Sequence, residues 1–188
     1  RGVQYASAEY RQALRAGYAP YVEALRAGAA APEAFAAFDA FRVLCPLREG
    51  PRGVEAVNES LVRWLRAVLA HPRDPGPPSP WFPGRPVMVL RNDPTLRLFN
   101  GDVGLVLPDA GGELMVHFPD AQGGWRTLPP LRLPAHETAL AMTVHKAQGS
   151  EFREVLVLLP EQPARVMSRE LLYTAVTRAR QRVTLAGP

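Results

Sequence analysis

The segment TALAMTVHKAQGSEF, residues 138–152, has the pattern from which the fold is predicted. Its first seven residues are apolar or β-branched, which is typical of a buried strand, and a second apolar run follows at 155–159. The residues between the two runs are strongly polar. A polar loop whose ends are fixed by core strands is a common place for binding residues. The pattern therefore predicts a functional loop between two strands of the core.

Lys146, within this loop, is the only lysine of the chain, and the other 21 basic residues are arginines. A compact ammonium group differs from a planar guanidinium in its hydration and donor geometry. The lone lysine is therefore a hint of a specific contact, although an arginine-rich composition also accounts for it.

Length and composition indicate a globular domain, with or without a small insert. The 188 residues are 47% hydrophobic and carry a net charge of +4. This charge fits a nucleic-acid partner without requiring one. It lies outside residues 81–135, where five arginines balance five acidic residues.

The single cysteine, Cys45, lies in an apolar run, where we expect a small buried hydrophobe. One cysteine excludes an internal disulfide, and a reducing cytoplasm is the natural location. No apolar stretch is long enough to span a membrane. His71, His117, His136 and His145 have no ligand spacing, so no metal site is predicted.

The pattern of the first 80 residues predicts alternating helices and strands. We expect two or three short helices before residue 41, interrupted at Gly17 and Pro20. Phe41 to Cys45 is predicted as a core strand. Apolar residues at three- and four-residue intervals between Val54 and Leu69 predict an amphipathic helix.

A different pattern occupies the middle of the chain. Seven prolines between Pro72 and Pro86 predict a stiff connector. Five short β-like runs follow, at 87–90, 103–107, 114–118, 125–128 and 131–133. They predict a small barrel inserted into the α/β domain as a rigid accessory unit that could be deleted without unfolding the rest.

The polar and aromatic residues of this insert have ordinary explanations. For Asn92, Asp93, Asn100, Gly101 and Asp102 we favour turn chemistry. The aromatic side chains could stack on bases, but small barrels need aromatic residues in their cores, and we favour that use. These aromatic residues are Trp81, Phe82, Phe99 and Trp125.

The α/β pattern resumes after Pro134. Ser168 is predicted to cap a helix whose buried stripe runs from Leu171 to Ala179, and Val183 to Leu185 form a final strand. Arg178, Arg180 and Arg182 are expected near the carboxyl end of this helix, where cations are favourable.

Three stretches resemble helicase motifs. TVHKAQGSEF at 143–152 resembles motif V of superfamily 1 helicases, and RELLYTAVTRAR at 169–180 resembles motif VI. FRVLCPLREGPRGVEAVN at 41–58 resembles the motif IV region of RecD-like helicases. No G-x-x-x-x-G-K-[ST] phosphate loop occurs. The chain thus resembles the C-terminal motor region of a RecD-like DNA helicase, the alpha subunit of exodeoxyribonuclease V.

The resemblance implies a RecA-like (P-loop NTPase-type) α/β domain 2A, formed by residues 1–80 and 136–188. Residues 81–135 would be the SH3-like barrel called 2B. The whole enzyme would use ATP and Mg²⁺ to move 5′ to 3′ along single-stranded DNA in double-strand break repair and recombination. Its N-terminal RecA-like domain would supply the phosphate-loop lysine and the Mg²⁺ ligands, so this chain alone is expected to be inactive.

The resemblance also implies site roles. Arg178 matches the motif VI arginine that contacts the γ-phosphate, and Arg48 matches a motif IV arginine with a similar role. On residue chemistry alone, Arg178 could merely decorate a helix end, and Arg48 could pair with Glu49 or Glu55.

Motif V is implied to serve both ligands. Thr143, His145 and Lys146 match positions that contact the DNA strand. The nucleotide is implied to lie against Gln148, Gly149 and Glu151. Without the resemblance, His145 would be a satisfied histidine at a strand end and Glu151 a partner of Arg153. A glycine at position 149 permits a positive φ or a close approach.

The expected partners are single-stranded DNA, the N-terminal motor domain, and the beta and gamma subunits of exodeoxyribonuclease V. Two alternatives stay open. One is a RecD-like helicase that works without those subunits, and the other is a non-catalytic nucleic-acid-binding module.

Overall fold

The computed structural model describes residues 2–5, 10–70, 79–162 and 164–187. The part of the proline-rich connector at 71–78, which includes His71, lies outside the described residues. The elements in chain order are β1 (Gly2–Tyr5), α1 (Tyr10–Arg26), α2 (Ala31–Asp39), β2 (Phe41–Cys45), α3 (Val54–Leu69), β3 (Pro86–Val89), β4 (Val103–Pro108), β5 (Leu114–Pro119), β6 (Trp125–Leu128), a 3₁₀ helix (Pro130–Arg132), β7 (His136–Thr138), β8 (Ala141–Thr143), β9 (Phe152–Leu158), α4 (Arg169–Thr177) and β10 (Ala179–Ala186).

The first sheet has the strand order β1-β10-β9-β2-β8, and all its pairings are parallel. A parallel sheet requires crossover connections, which α3 and α4 help to provide. The predicted α/β class is confirmed, and the sheet is consistent with a RecA-like domain. The polar loop joins two core strands, β8 and β9, as predicted. It crosses β2, which lies between them in the sheet.

The predicted break in the first helix is wrong. Helix α1 is continuous through Gly17 and Pro20. A proline inside a helix removes one backbone hydrogen bond, but Tyr18 and Tyr21 on either side of it are fully buried. Burial of this apolar face outweighs the local defect. The predicted strand β2 and helix α3 are confirmed, and Cys45 is buried as expected.

The C-terminal elements also differ in detail from the expectation. Ser168 caps α4 by accepting a hydrogen bond from the Leu171 amide at 3.1 Å, as predicted. The helix ends at Thr177, however, and the final strand β10 begins two residues later. Arg180 and Arg182 therefore lie on a strand and not at the helix end, because the strand pairs with β9 over almost its whole length.

The second sheet is antiparallel, with the order β6-β5-β4-β3-β7. The run at 131–133 is not the fifth strand, because prolines 129, 130 and 134 favour the 3₁₀ turn found there. The fifth strand is β7, which pairs with β3 through Glu137 and Met88. The second sheet thus extends beyond residue 135. Edge strands β6 and β7 are not paired with each other in the described residues, and the SH3-like barrel and the three-part domain division stay predictions.

The second sheet shares a hydrophobic core with helices α1 to α3. Phe82, Leu105 and Leu107 are buried in one cluster with Tyr21 and Phe38. Two aromatic rings are also in contact between the helices and the second sheet. The ring centroids of Phe35 on α2 and Trp125 on β6 are 5.5 Å apart. Removing residues 81–135 would therefore expose apolar surface of these helices. That the insert can be deleted without unfolding the rest stays a prediction, and these contacts argue against it.

The turn chemistry predicted for the insert is confirmed. Asp102 accepts a hydrogen bond from the Phe99 amide at 2.8 Å, and Asn92 accepts one from the Asn100 amide at 2.8 Å. The core role expected for the aromatic residues holds for Phe82, which is buried. It is wrong for Phe99, whose side chain stays 54% exposed because the turn points it away from both sheets.

Candidate functional site

Motif IV and motif V meet at the carboxyl edge of the parallel sheet. Arg48 follows β2 and Lys146 follows β8, and these two strands are neighbours. The carboxyl ends of adjacent parallel strands lie at one edge, where α/β proteins bind their ligands. Sequence spacing alone does not bring the two cations together, since 97 residues separate β2 from the end of β8 in the chain.

Glu137 of β7 joins these two cations. Its Oε1 accepts a hydrogen bond from Lys146 Nζ at 2.8 Å, and its Oε2 accepts one from Arg48 Nη2 at 3.0 Å. Arg48 Nε also donates to Glu55 at 3.1 Å. The pairing of Arg48 with Glu55 was one of the alternatives raised from the sequence.

The two cations lower the pKa of Glu137 below its ordinary value. Burial acts against this shift, but hydrogen bonds and charge from Lys146 and Arg48 outweigh it. The carboxylate is thus ionised at neutral pH. Together with Glu55, it makes this group of four side chains electrically neutral.

An open cleft of about 370 Å³ lies beside this group. Its walls include Arg48, Glu55, Glu59 and Glu137. The acidic lining makes the cleft itself a poor place for a phosphate, so an anionic ligand would approach Arg48 and Lys146 from the sheet edge.

Arg178 lies in a second group, at the opposite end of the motif V loop. Its guanidinium donates to the Ser150 carbonyl at 3.1 Å and to the Thr174 carbonyl at 3.3 Å. The Arg178 carbonyl accepts from the Phe152 amide at 2.8 Å. Motifs V and VI are therefore joined through both backbone and side chain.

The three residues proposed to face the nucleotide lie in the part of the loop on either side of Ser150, whose carbonyl Arg178 contacts. Gln148, Gly149 and Glu151 are all exposed. Gly149 has a φ of +84°, so of the two reasons offered for a glycine there, a positive φ or a close approach, the structure shows the first. Glu151 pairs with Arg180 at 3.0 Å and not with Arg153, because Arg180 begins the strand next to β9.

Thr143, His145 and Lys146 begin the same loop at the carboxyl edge. Thr143 Oγ1 accepts a hydrogen bond from the Lys146 amide at 3.2 Å, which fixes the turn. The His145 side chain is exposed.

The structure separates Arg48 from Arg178. On β9, Phe152 pairs with Ala179 and Val157 pairs with Leu44. At the rise per residue of a strand, Phe152 and Val157 are about 17 Å apart. Arg178 precedes the first pair and Arg48 follows the second, so they lie at opposite edges of the sheet. Arg48 is grouped instead with Lys146. The roles of all eight site residues stay predictions.

Sequence reasoning missed Asn58 and Glu137. Buried Asn58 on α3 donates to the carbonyls of Thr138 and Ala141 at 3.0 and 2.9 Å, and accepts from the Ala141 amide at 2.7 Å. Its signal was available, since it is a polar residue on the apolar face of a helix. Glu137 had no signal, because Arg48 is 89 residues away in the chain and Lys146 comes near only through the fold of β7, β8 and the loop between β8 and β9.

In the described ranges, no group of three or more His, Cys, Asp or Glu side chains is placed to hold a metal ion. None of the described helices is long and apolar enough to cross a membrane.

Known proteins resemble this chain in sequence. A family model for the UvrD-like helicase C-terminal domain matches residues 138–186, from the end of β7 to the end of β10. The RecBCD enzyme subunit RecD of Mycobacterium tuberculosis (strain H37Rv) is 42% identical over 177 residues, which is 93% of this chain and 30% of that protein. The ATP-dependent RecD2 DNA helicase of Deinococcus radiodurans is 38% identical over 151 residues, covering 79% of this chain and 20% of that protein.

Solved structures show weaker similarity. The Pif1 helicase from Candida albicans has a TM-score of 0.49 at 15% identity, covering 89% of this chain and 52% of that chain. A Bacteroides Pif1 helicase in complex with ADP-AlF3 and single-stranded DNA has a TM-score of 0.48 at 15% identity, covering 89% and 48%.

The sequence matches define a helicase C-terminal region. More narrowly, the chain belongs to the RecD-like superfamily 1 DNA helicases and matches their C-terminal region, which confirms the predicted resemblance. The chain spans less than a third of the length of these relatives.

Proposed function

We propose that this chain is the C-terminal motor part of an ATP-dependent 5′ to 3′ DNA helicase, the RecD subunit of an exodeoxyribonuclease V that acts in break repair and recombination in the cytoplasm. The observation that carries the proposal is the β8–β9 loop, which runs from one edge of the sheet to the other. Its start holds Lys146 at the carboxyl edge, and its end holds Ser150 against Arg178. One short loop thus connects two separate groups of cations.

The proposed roles follow this separation. The single strand contacts Thr143, His145 and Lys146, and we now group Arg48 with them. The nucleotide contacts Gln148, Gly149, Glu151 and Arg178. A shift of the loop at one end moves the other end, which is how ATP use would be coupled to movement on DNA.

Arg178 is suited to a transferring phosphoryl group. Its guanidinium is held by backbone carbonyls of α4 and of the loop, so its position depends on both. A planar guanidinium binds two phosphate oxygens at once and neutralises the charge that spreads during transfer.

Other parts of the reaction would come from a partner domain. An N-terminal RecA-like domain would supply the phosphate-loop lysine and the ligands of Mg²⁺, so the 188-residue chain alone would not hydrolyse ATP. The second sheet would be the SH3-like 2B unit. The similarity to RecD suggests the beta and gamma subunits as partners, whereas the similarity to RecD2 supports the alternative of a helicase without them.

Replacing Arg178 tests this assignment. In the protein expressed from its full reading frame, Arg178→Ala should lower ATP turnover by about 10³-fold or more, with single-strand affinity nearly unchanged. Arg178→Lys should restore little, because a point charge cannot reproduce the two-pronged contact. Steady-state ATPase assays and fluorescence anisotropy with oligodeoxythymidylate measure the two properties.

A matched control is Arg182→Ala, which removes an arginine from β10 that pairs with Glu154 at 3.6 Å. It should leave ATP turnover within about twofold of the wild type, as is usual for an exposed ion pair. Equal losses in both variants would contradict the proposed function.

A further inference from the structure

We propose that Glu137 is a latch: its carboxylate takes the place of a phosphate group beside Lys146 and Arg48, and a phosphate oxyanion of single-stranded DNA displaces it. This inference rests on the DNA-binding role proposed above for the start of the β8–β9 loop.

The geometry is that of a bound phosphate. Two oxygens of one group each accept a hydrogen bond from a different cation, at 2.8 Å from Lys146 and 3.0 Å from Arg48. Phosphate oxygens in nucleic-acid complexes accept from the same two residue types. Glu137 therefore shows where such an oxyanion is stabilised at this edge of the sheet.

Exposure favours an exchange of partners. The side chain of Glu137 is 16% exposed, whereas those of Lys146 and Arg48 are 30% and 50% exposed. A ligand can thus reach both cations from solvent while Glu137 stays on β7. Arg48 is half exposed, and an ion pair that water reaches contributes little free energy, about 1 kcal/mol or less, so a phosphate can compete for this arginine.

The charge balance gives the latch a measurable effect. Arg48, Lys146, Glu55 and Glu137 sum to zero, so an incoming phosphate finds no net attraction until Glu137 is displaced. Removing the Glu137 charge leaves one excess positive charge beside the strand.

The latch also links DNA binding to the second sheet. Glu137 lies on edge strand β7, and the next residue, Thr138, accepts hydrogen bonds from Asn58 and Arg85. Displacing the carboxylate breaks the ion pairs between β7 and the ends of β2 and β8. The hydrogen bond from Asn58 to the Thr138 carbonyl and the shared hydrophobic cluster would still hold the second sheet to the rest of the molecule.

The test is a titration of the protein from its full reading frame with fluorescent oligodeoxythymidylate at fixed salt. We expect Glu137→Gln to tighten binding about three- to tenfold. Glu59→Gln is the control, because it removes the same charge from the wall of the nearby cleft and forms no ion pair among the described residues. It should change affinity by less than about twofold.

The increase in DNA affinity expected for Glu137→Gln should require Lys146. Lys146→Met should weaken binding, and Glu137→Gln combined with Lys146→Met should bind much less tightly than Glu137→Gln alone. Glu137→Asp keeps the charge on a shorter side chain and should bind between wild type and Glu137→Gln, which keeps the test decisive if Glu137→Gln folds poorly. Equal or weaker binding by Glu137→Gln and Glu137→Asp would overturn the latch.

Two outcomes separate this inference from the function on which it rests. If Lys146→Met weakens binding but neither Glu137 variant strengthens it, only the latch fails. If Lys146→Met leaves binding unchanged, the DNA-binding role of the loop fails. In a parallel titration, Glu137→Gln and wild type should bind a non-hydrolysable ATP analogue with equal affinity. Tighter binding of the analogue, without tighter binding of DNA, would overturn the assignment of the phosphate to DNA.

Discussion

Single side chains near the junction of the two sheets carry most of the polar contacts that define the site. Glu137 pairs with two cations, and Asn58 satisfies three backbone groups of the segment 138–141. The same segment is held by Arg42, which donates to the Ala139 carbonyl at 2.9 Å, and by Tyr18, which donates to the Leu140 carbonyl. The position of the motif V loop therefore depends on a few buried hydrogen bonds.

The lowered pKa of Glu137 predicts a pH-dependent contribution to stability. A carboxyl whose folded-state pKa lies below its unfolded value stabilises the protein above the unfolded pKa, and this contribution is lost as the pH falls through the folded pKa. The unfolded reference is 4.5. Wild type should thus be more stable than Glu137→Gln near neutral pH, and the difference should shrink below pH 4.5.

Urea denaturation of both proteins across this range measures the difference. Subtracting the two curves gives the contribution of the Glu137 carboxyl at each pH. A difference that grows as the pH falls would contradict the lowered pKa.

Asn58→Ala should destabilise the protein by about 2 to 4 kcal/mol, because it leaves buried carbonyl and amide groups of Thr138 and Ala141 without their partner. Asn92→Ala is a matched control, since Asn92 accepts one exposed hydrogen bond. It should cost about 1 kcal/mol or less. Chemical denaturation measures both, and similar losses would show that Asn58 is not a special contact.

Among the elements, helix α1 shows how packing overrides local preference. Its glycine and proline weaken a helix in isolation, but the helix buries Leu14, Tyr18 and Tyr21 against the first sheet and α2. A Cβ added at Gly17 would lie 2.3 Å from Phe41 Cζ. The glycine thus permits the close approach of α1 to β2.

Gly17→Ala should therefore destabilise the protein by about 1 to 3 kcal/mol, although alanine is the better helix former. The neighbouring exposed change Ala16→Gly should cost about 1 kcal/mol through helix propensity alone. Thermal and urea unfolding of both variants test this pair. A stabilised Gly17→Ala protein would mean that Phe41 moves aside without cost.

At the scale of the whole molecule, one hydrophobic cluster joins the two sheets in the described residues. The cluster that contacts α1, α2 and α3 includes Leu105 and Leu107 of β4, and Phe82 of the segment before β3. Buried hydrogen bonds cross the same boundary, including that from Tyr21 to the Gly84 carbonyl at 2.9 Å.

Deleting residues 81–135 and joining the ends with glycines should abolish cooperative melting of the 188-residue chain. Each large apolar side chain lost from a core costs about 2 to 5 kcal/mol, and the deletion removes several at once. Differential scanning calorimetry compares the deletion variant with the whole chain. A sharp transition in the deletion variant would show that the first sheet folds without this interface.

The sequence by itself determined the α/β class, β2, α3, the capped helix α4 and the motif V loop, because each depends on local periodicity or on contiguous residues. Only the tertiary structure decided that α1 continues through Pro20, that β7 completes the second sheet, and that Arg48 lies with Lys146 and not with Arg178. These outcomes depend on contacts between residues far apart in the chain, where the free energy of burying apolar surface and the pairing of strands exceed the local preferences that a sequence displays.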